Sequence, residues 1–533
     1  MARKYDFAER AKSSATHRVT RRHFIRAITC SGGGILLGGI SCRNRKVRLV
    51  DVPATKWVAP PEARAFRTEA SFRSPREVRT ELRVGYAKLK MANDQGGEDS
   101  LYLRSYNGAI TGPVIRVKPG DKLVVNLINE LPEEPDPPFG AHGINITNLH
   151  SHGLHVSPEE GDNIFLEIGP GGRDGTTRTL IYNIPENHHP GTFWYHPHKH
   201  GSVAIQVASG MAGALIVEGD IDQVPEIAAA QERIFIFQQI PYSIEGKIGW
   251  DEAHGSGLPD KRYTTINGQL KPSFEMNPGE VQRWRFIHAG IKEKLTIALE
   301  EHQLSIIAHD GITTGRREDL PTEKGLEMYP GYREDILVKA NKKPGKYILY
   351  DRRDDNGLFN PETDQQLAEV IVTGEEKDMS LPDPSQLQPL AHLGDLRYAS
   401  LYRERLRVEF DIAANKFTIC NKEFAMSDPP LEMKLNGIDE WDLITDKGVP
   451  RHHPFHTHVN PFQIIKNGDI EYPHPVWRDT IIVEKNKPLI IRTHCKDFVG
   501  ESVLHCHILD HEDLGMMTKI KIVEGEPKQY SCL

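Results

Sequence analysis

The sequence is poor in cysteine and contains no long apolar run. Six cysteines in 533 residues are too few for a disulfide framework. No apolar stretch of about 20 residues is present, so a stable membrane span is not expected. The net charge of −8 implies a soluble chain and gives no sign of nucleic-acid binding. These absences exclude a disulfide-stabilised scaffold, a membrane-spanning protein and a nucleic-acid-binding protein.

The length and the turn residues indicate several β domains. A chain of 533 residues exceeds one compact domain, and about three domains of roughly 150 residues are expected. The 45 glycines and 36 prolines alternate with short runs of Val, Ile, Leu and Thr. This composition is typical of an all-β protein with many turns.

Internal repetition supports the same organisation. A turn at Asn107-Gly108 precedes two strand-like segments, residues 113–121 and 123–127, and a turn at Asn267-Gly268 precedes a similar pair. A degenerate third copy begins near Cys420. Alternating apolar positions within each unit indicate half-buried strands of a sandwich. We therefore predict three similar domains, at residues 60–222, 228–376 and 397–533, with a linker at 374–396.

Four short histidine clusters dominate the chemistry of the chain. Both imidazoles of a His-x-His pair on a β-strand point to the same side, because side chains alternate with period two. Imidazole binds copper, zinc and iron well. The clusters are His150-Ser-His152, His196-Pro-His198, His453-Pro-Phe-His456-Thr-His458, and His505-Cys506-His507 with His511 and Met516.

The fourth cluster predicts two metal sites on opposite faces of one strand. His505 and His507 point to one side and the Cys506 thiolate to the other, so a few covalent bonds join the two sites and offer a short path for electrons. A thiolate with two imidazoles and a weak axial thioether is the ligand set of a blue-copper centre. His453, His511 and Met516 complete that set for Cys506. The alternatives are a zinc site or ordinary core histidines, and a zinc site leaves the Cys-His-His-Met set unexplained. Isolated histidines such as His288, His302 and His392 are expected to be structural.

These residues resemble the ligands of the multicopper oxidase family, which includes laccases, bilirubin oxidases and cuprous or ferrous oxidases. Residues 191–195, 210–217, 477–480 and 505–516 also look like family signatures, and the resemblance extends from about residue 60 to residue 525. It implies three cupredoxin-like Greek-key β-sandwich or barrel domains. It also implies four copper ions, of which one is type 1, one is type 2 and two are type 3.

The resemblance further assigns each ligand and fixes the domain arrangement. By that resemblance, His150 and His456 hold the type 2 copper. The first two clusters lie in the first predicted domain and the last two in the third, so these domains must pack face to face around the trinuclear site. The second domain, which has no His-x-His pair, is expected to act as a spacer and as part of a substrate wall. The type 3 pair is assigned to His152, His196, His198, His458, His505 and His507.

The resemblance implies electron transfer from a small reducing substrate to dioxygen. Single electrons enter at the type 1 copper near His453, cross Cys506, and four of them reduce dioxygen to two waters. This reaction consumes protons, and Glu512 and Asp162 match positions that relay protons in the family. Glu512 could instead orient a ligand through a hydrogen bond. Asp162 is followed by Asn163 where glycine is commoner, and its alternative is a solvated turn carboxylate.

The prediction of the substrate rests on the absence of a methionine cluster in the sequence. Dedicated cuprous oxidases of the family often carry a methionine-rich insert, whereas the ten methionines of this chain are scattered. We therefore predict a laccase-like oxidase of phenols or similar organic donors. The alternatives are a cuprous, ferrous or manganous oxidase, a bilirubin oxidase-like enzyme, and a copper-free scaffold of the cell envelope. The complete ligand set opposes the scaffold, and the acidic stretches 354–355 and 362–364 are expected to be solvated loops rather than ion sites.

The N-terminus resembles a twin-arginine export signal. Arg21 and Arg22 are followed by the weakly apolar, glycine-rich residues 27–40, so residues 1–45 are predicted to direct export to the periplasm. The alternative is a basic disordered tail. Cys42 stands where a lipoprotein cysteine would lie, but Gly39 replaces the usual leucine, so simple cleavage is expected instead of a lipid anchor.

The remaining cysteines do not form an obvious pair. Cys420, Cys495 and Cys532 are an odd number, and their spacing does not pair them. We expect them to be buried or terminal free thiols.

Overall fold

The computed structural model describes most of the chain after its N-terminal region. The predicted export segment, residues 1–45 with Arg21, Arg22 and Cys42, lies outside the described residues, as do Cys532 and the acidic residues 354–355 and 362–363. The part from Val50 to Leu533 forms one compact unit. The described ranges are 54–63, 66–67, 76–134, 143–171, 176–254, 261–353, 364–390, 392–413, 416–445 and 452–528.

The first sandwich is built from residues 66–217, after a short leading strand, β1. The strands are β1 (Thr55–Lys56), β2 (Phe66–Arg67), β3 (Glu77–Ala92), β4 (Glu98–Tyr106), β5 (Ile115–Val117), β6 (Lys122–Asn129), β7 (His150–His152), β8 (Thr177–Asn183), β9 (Gly191–His196) and β10 (Gly213–Val217). One sheet has the order β2-β3-β6-β8 with β4 paired to β3, and the other has the order β5-β10-β9-β7.

The second sandwich is built from residues 231–372 and also takes in β1. Its own strands are β11 (Gln231–Tyr242), β12 (Lys261–Ile266), β13 (Pro272–Met276), β14 (Val281–His288), β15 (Leu295–Leu299), β16 (Leu304–His309), β17 (Ile312–Asp319), β18 (Leu326–Met328), β19 (Arg333–Lys339), β20 (Gly345–Asp351) and β21 (Gln365–Val372). The sheets have the orders β12-β11-β14-β19-β16-β17 and β1-β13-β21-β20-β15-β18. Because β1 pairs in parallel with β13, the segment before the first sandwich extends a sheet of the second.

The third sandwich is built from residues 403–523. The strands are β22 (Arg403–Ala413), β23 (Lys416–Ile419), β24 (Leu431–Lys434), β25 (Ile438–Ile444), β26 (His453–Thr457), β27 (Phe462–Asn467), β28 (Ile470–Arg478), β29 (Thr480–Val483), β30 (Leu489–His494), β31 (Gly500–Cys506) and β32 (Met517–Val523). The sheets have the orders β23-β22-β25-β30-β27-β28 and β24-β32-β31-β26-β29. The predicted all-β fold with sandwich architecture is confirmed.

The helices are short, and two of them, Val203–Ala208 and Leu509–Asp513, directly follow histidine clusters in the sequence. The α-helices are α1 (Val203–Ala208), α2 (Pro225–Ala229), α3 (Trp250–His254) and α4 (Leu509–Asp513), and 3₁₀ turns occur at Asp220–Gln223, Pro384–Gln386 and Leu396–Tyr398. Within the described residues, no helix has the length and apolar character needed to cross a membrane.

The repeated turn that the sequence predicts is present in all three sandwiches. Asn107 and Gly108 have φ of 54° and 76°, and Asn267 and Gly268 have φ of 54° and 74°. Positive φ at both central residues is the geometry of a type I′ hairpin turn, which favours Asn-Gly. In the third copy Cys420 and Asn421 take the same conformation, with φ of 54° and 60°. The degenerate copy therefore keeps the backbone of the turn although it has lost the glycine.

Each sandwich encloses its own hydrophobic core. In β3, Val78, Leu82 and Val84 are fully buried and alternate with exposed positions. The second and third cores contain the buried indole rings of Trp284 and Trp441. Burial of each large apolar side chain contributes about 1.5–3 kcal/mol, so each sandwich has the apolar interior that a separate domain requires.

One expectation for the cysteines is wrong. Cys420 is disulfide-bonded, although we expected a free thiol. Sequence spacing could not reveal this, because a disulfide depends on which Cβ atoms the fold brings to within about 4 Å. Cys495 is buried and free, as expected.

Candidate metal centre

Short β-strands hold most of the histidine clusters in fixed register. In the first sandwich β7 pairs with β9, and His150 lies opposite His196. In the third sandwich β26 pairs with β31, so that His456 lies opposite His505. Antiparallel partners in register have Cβ atoms about 5 Å apart, and the strands therefore place their imidazoles close together before the sandwiches meet.

The first and third sandwiches bring eight of these imidazoles to one interface. Ligand atoms of His150, His456 and His458 lie within 4.8 Å of one another, and so do those of His198, His458 and His505. The rings of His152 and His456, which belong to different sandwiches, stack with centroids 3.7 Å apart. The predicted convergence of the first and third domains is thus what the structure shows. The ring centroids of His152, His196 and His507 lie 4.9–5.8 Å apart.

The eight imidazoles are buried and uncharged at neutral pH. Each is at most 2% exposed. Burial lowers the pKa of His198 and of His505 to about 4, and it lowers the pKa of His150, His152 and His507 well below the usual value. A neutral imidazole keeps the nitrogen lone pair that a metal ion needs.

Several ring nitrogens at the interface have no hydrogen-bond partner within the protein. They include the Nε2 atoms of His150, His196, His456 and His458, the Nδ1 atom of His152 and both ring nitrogens of His507. An unsatisfied buried polar atom costs about 1–3 kcal/mol, so such a group of them is unusual in a folded protein. Metal ions bound at these nitrogens would satisfy them, and the residues present therefore fit a copper cluster.

Cys506 forms a second, smaller group on the other side of β31. Its Sγ lies 3.4 Å from His453 Nδ1 and 3.7 Å from His511 Nδ1. The backbone N of Cys506 donates to the carbonyl of Met516 at 3.0 Å, and Met516 is fully buried in the same core. Burial raises the pKa of the Cys506 thiol, so a thiolate at this position requires a cation beside it. The ligand atoms of three of the four predicted type 1 residues, Cys506, His453 and His511, lie within 4.8 Å of one another, and Met516 is placed beside them by its backbone contact.

Glu512 lies between two imidazoles that come from different sandwiches. Its Oε1 is 3.3 Å from His198 Nδ1 and its Oε2 is 3.0 Å from His505 Nδ1. The side chain is fully buried, and burial raises its pKa to about 7. The next residue, Asp513, accepts hydrogen bonds from the backbone N of Gly201 and Ala204 at the start of α1. Helix α4 of the third sandwich is thereby fastened to the first.

Asp162 is buried against the first cluster, so the alternative of a solvated turn carboxylate is wrong. Its Oδ1 accepts from the backbone N of Ser151 at 2.7 Å and from Ser151 Oγ at 2.9 Å. The same oxygen lies 3.1 Å from His150 Nδ1. Only 3% of Asp162 is exposed, and burial raises its pKa to about 8.

Sequence reasoning singled out residues 477–480 as a signature but missed how Asp479 of the third sandwich contacts the second sandwich beside the cluster. Asp479 Oδ1 lies 3.3 Å from His152 Nε2 and 3.6 Å from His456 Nδ1. This carboxylate forms a two-point ion pair with Arg333 of β19, which is 146 residues away in sequence. The second domain, which we expected to act as a spacer and as part of a substrate wall, therefore also contacts the surroundings of the cluster through this ion pair. Its part in a substrate wall stays a prediction. No spacing pattern could have indicated a contact of such long range.

Two of the isolated histidines, His288 and His302, have the structural roles that the sequence predicts for them. In His288, Nε2 bonds to the carbonyl of Glu293 at 2.8 Å and Nδ1 accepts from the backbone N of Gly290. In His302, Nδ1 bonds to the carbonyl of Glu300 at 2.6 Å and Nε2 accepts from the backbone N of Asn341. Both rings use their two nitrogens within the protein, so neither is a metal ligand.

The fold and the centre together define a metalloprotein of three β-sandwich domains with one thiolate-containing site and one polyimidazole site. Family models described as multicopper oxidase match residues 90–221, 242–373 and 403–526. These three matches cover well over half of the sequence. The chain belongs to the multicopper oxidase family.

Individual relatives are distant but cover most of the chain. A multicopper oxidase of Staphylococcus aureus is 24% identical over 427 residues, covering 79% of this chain and 83% of the relative. A laccase of Bacillus subtilis is also 24% identical, covering 79% and 90%. A multicopper oxidase of Campylobacter jejuni, described as a metallo-oxidase, has a similar solved structure with a TM-score of 0.70, 23% identity and coverage of 90% and 98%.

These comparisons confirm the fold class and the type of enzyme. A laccase structure from Pediococcus acidilactici has a TM-score of 0.70 at 23% identity, covering 88% of this chain and 94% of that one, and the fold comprises three cupredoxin-like domains. The chain is a copper-dependent oxidoreductase that uses dioxygen. Its cofactor is a set of four copper ions of types 1, 2 and 3.

Replacing Cys506 tests the two metal sites separately. We expect Cys506→Ser to abolish the intense blue absorption and the oxidase activity, because a hydroxyl cannot replace the soft thiolate. The imidazole group on the other face of β31 should keep its metal, so about three of the four coppers should remain. Absorption spectra and copper content of the purified protein measure both effects.

Cys495→Ser is the matched control, since Cys495 is the other free buried cysteine within the described residues. This variant should keep the blue absorption. A wild-type protein that stays colourless after copper loading contradicts the assignment, and so does a loss of colour in Cys495→Ser instead of Cys506→Ser.

Proposed function

We propose that the chain is a laccase-like oxidase in which the two groups of side chains serve as type 1 and trinuclear copper sites. Cys506, His453, His511 and Met516 would hold the type 1 copper. His150 and His456 would hold the type 2 copper. Ring proximity across the interface supports this assignment, since the centroids of His150 and His456 are 5.9 Å apart. The type 3 pair would be held by His152, His196, His198, His458, His505 and His507.

Copper ions held by these residues would supply one-electron redox chemistry, by which four electrons from the donor and four protons would convert dioxygen into two waters. The protein provides the connection between the two sites. Cys506 is covalently adjacent to both His505 and His507, and it lies in the same strand pair as His456. His505, Cys506 and His507 are fully buried, so water does not reach this segment. The path between the sites therefore consists of covalent bonds held rigid by β31.

The protein also supplies protons at fixed atoms. Glu512 can hold a proton on Oε1 or Oε2 next to His198 and His505. Asp162 can hold one on its carboxylate next to His150. Because both carboxyl groups are buried and their pKa values are raised to about 7 and about 8, each can exchange a proton near neutral pH. We assign the two residues to proton delivery.

The distribution of methionines is the observation that favours organic donors. Of the methionines that the structure describes, seven are buried within hydrophobic cores. Met426, which is 52% exposed, has the largest exposed fraction given for a methionine. Binding of cuprous ion as substrate needs several soft thioethers facing solvent together. An organic donor needs only close approach to the type 1 site, so this arrangement suits phenols better than cuprous ion.

The predicted N-terminal signal completes the proposal. We propose that the enzyme acts in the periplasm and that residues 1–45 direct its export by the twin-arginine route. This route carries folded proteins, which suits a chain whose cofactor can be inserted before export. Only the sequence of Arg21 and Arg22 followed by the apolar residues 27–40 supports this part of the proposal.

The proton role predicts a specific kinetic effect. Glu512→Gln should retain four coppers and the blue absorption, since the amide keeps the shape of the side chain. Reoxidation of the fully reduced protein by dioxygen should be slower by about 10²–10⁴-fold, because the amide cannot exchange the proton. Stopped-flow absorbance of the returning blue band measures the rate, and Asp162→Asn should show the same pattern.

Glu501→Gln is the matched control, because Glu501 belongs to β31 and its side chain is paired with Lys521 on the surface. Its reoxidation rate should equal that of the wild type. An unchanged rate in Glu512→Gln across the pH range would remove Glu512 from the proton path.

Substrate preference is tested by oxygen uptake without added copper. We expect turnover of electron-rich phenols or dye donors by the wild type and none by Cys506→Ser. Met426→Leu should leave all rates unchanged, because a single exposed thioether does not form an ion site. Oxidation of cuprous or ferrous ions far faster than phenols at matched concentration, with phenol oxidation only in excess copper, would instead identify a metal oxidase.

Export is tested by replacing the arginine pair. Arg21→Lys combined with Arg22→Lys keeps the positive charge, so a nonspecific basic tail would still function. A receptor that reads the pair as an address would not accept it, and the precursor should accumulate in the cytoplasm. Cell fractionation measures the distribution, and normal periplasmic accumulation of the double variant would contradict the proposal.

A further inference from the structure

The guanidinium group of Arg333 lies where the three sandwiches meet. Its Nε donates to the carbonyl of Thr192 in the first sandwich at 3.3 Å. Its Nη1 and Nη2 donate to the carbonyls of Gly331 and Asp310 in the second sandwich, both at 2.9 Å. The same two nitrogens bind the two carboxylate oxygens of Asp479 in the third, with Nη1 to Oδ1 at 2.8 Å. All five N–H groups of this fully buried side chain thus have an acceptor.

Asp479 connects Arg333 to the imidazoles of the cluster. Its Oδ1 lies 3.3 Å from His152 Nε2 and accepts a hydrogen bond from Thr480 Oγ1 at 2.7 Å. Thr480 Oγ1 is 3.1 Å from both His152 Nε2 and His456 Nδ1. The backbone carbonyl of Asp479 lies 2.9 Å from His456 Nδ1. Asp479 therefore contacts an imidazole from each side of the interface, His152 through its carboxylate and His456 through its backbone carbonyl.

The backbone of the second sandwich also comes close to the cluster. Gly331 has φ of 93°, a conformation that favours glycine. A Cβ atom at this position would lie 3.1 Å from His507 Cδ2 and 3.2 Å from Thr480 Cγ2. The segment just before Arg333 is thus packed directly against a proposed type 3 ligand, and the ion pair is not a remote contact.

We propose that Arg333 is a positioning residue for the trinuclear site and acts through Asp479 on His152 and His456. This inference rests on the proposed ligand assignment. A planar guanidinium bound to both carboxylate oxygens fixes the orientation of the carboxylate as well as its position. Lysine carries the same charge but has no such fork, so it would leave the carboxylate free to rotate. The second sandwich therefore fixes the geometry of a site to which it contributes no ligand.

Arg285 offers a matched control at a similar depth. Its side chain is also fully buried and joins the first two sandwiches through Asp335 at 2.9 Å, Glu232 at 2.5 Å and Thr192 Oγ1 at 2.9 Å. None of these partners belongs to the third sandwich. Replacing Arg285 should disturb the packing between sandwiches to a degree comparable to the loss of Arg333, but it should leave Asp479 in place.

The test compares Arg333→Lys with Arg285→Lys in the full-length, copper-loaded protein. Both substitutions should lower the Tm, and both should keep the blue type 1 absorption. Only Arg333→Lys should change the type 2 electron paramagnetic resonance spectrum. It should also lower the chelator concentration that removes type 2 copper by about 10–100-fold, the usual effect of removing a hydrogen-bond partner of a metal ligand.

Asp479→Asn provides a second variant in case Arg333→Lys does not fold, and it should show the same spectral change. A wild-type type 2 spectrum and chelator sensitivity in Arg333→Lys, or in Asp479→Asn where the first is insoluble, would overturn the inference. An equal effect in Arg285→Lys would overturn it as well. A wild-type protein that binds no copper contradicts the proposed function itself, whereas a four-copper wild type with an unaltered Arg333→Lys contradicts only the positioning role.

Discussion

The burial of eight neutral imidazoles between two sandwiches is the constraint on which the rest of the structure depends. At least six of their ring nitrogens have no hydrogen-bond partner within the protein. At about 1–3 kcal/mol for each, their combined cost is comparable to the whole stability of a typical domain, about 5–15 kcal/mol. Bound copper removes this cost, so metal binding and the packing of the first sandwich against the third are coupled. The stability of this interface therefore depends on both the amino-acid sequence and the bound metal.

Buried ion pairs between the second and third sandwiches help to fix the position of the third sandwich, which carries half of the interface. Arg333 and Arg478 pair with Asp479, Asp310 and Glu334, which come from two different sandwiches. A buried ion pair adds little net stability, but removal of one partner is strongly destabilising because the other charge is left uncompensated. Such pairs consequently penalise any displaced arrangement of the sandwiches more than they stabilise the correct one. They contribute specificity, which the nondirectional hydrophobic contacts of the cores do not supply.

Local patterns in the sequence predicted the ligands, whereas contacts between distant segments remained invisible. The period of two along a strand was enough to place His505 and His507 opposite Cys506. Two Asn-Gly turns and a degenerate third copy near Cys420 were enough to indicate three similar units. Asp162 was matched by position but not recognised as buried, because its partner Ser151 is outside its own segment. Arg333, Asp479 and the disulfide-bonded Cys420 depend on how sheets and domains pack. No spacing within one segment encodes that packing, so although Asp479 lies in a recognised signature, its contact with Arg333 and the bonding of Cys420 became visible only in three dimensions.

The proposed copper ligands are divided among the sandwiches in such a way that the site for dioxygen and the site for the electron donor involve different sets of domains. All four proposed type 1 residues belong to the third sandwich, whereas the proposed trinuclear residues come from the first and third, and Arg333 of the second is paired with Asp479 beside them. A change at the interface disturbs all three sandwiches, since Arg333 is hydrogen-bonded to each of them. Under the proposed assignment, a substitution at the oxygen-reducing site is therefore expected to affect contacts of all three sandwiches, whereas a substitution around the type 1 residues is expected to affect mainly the third.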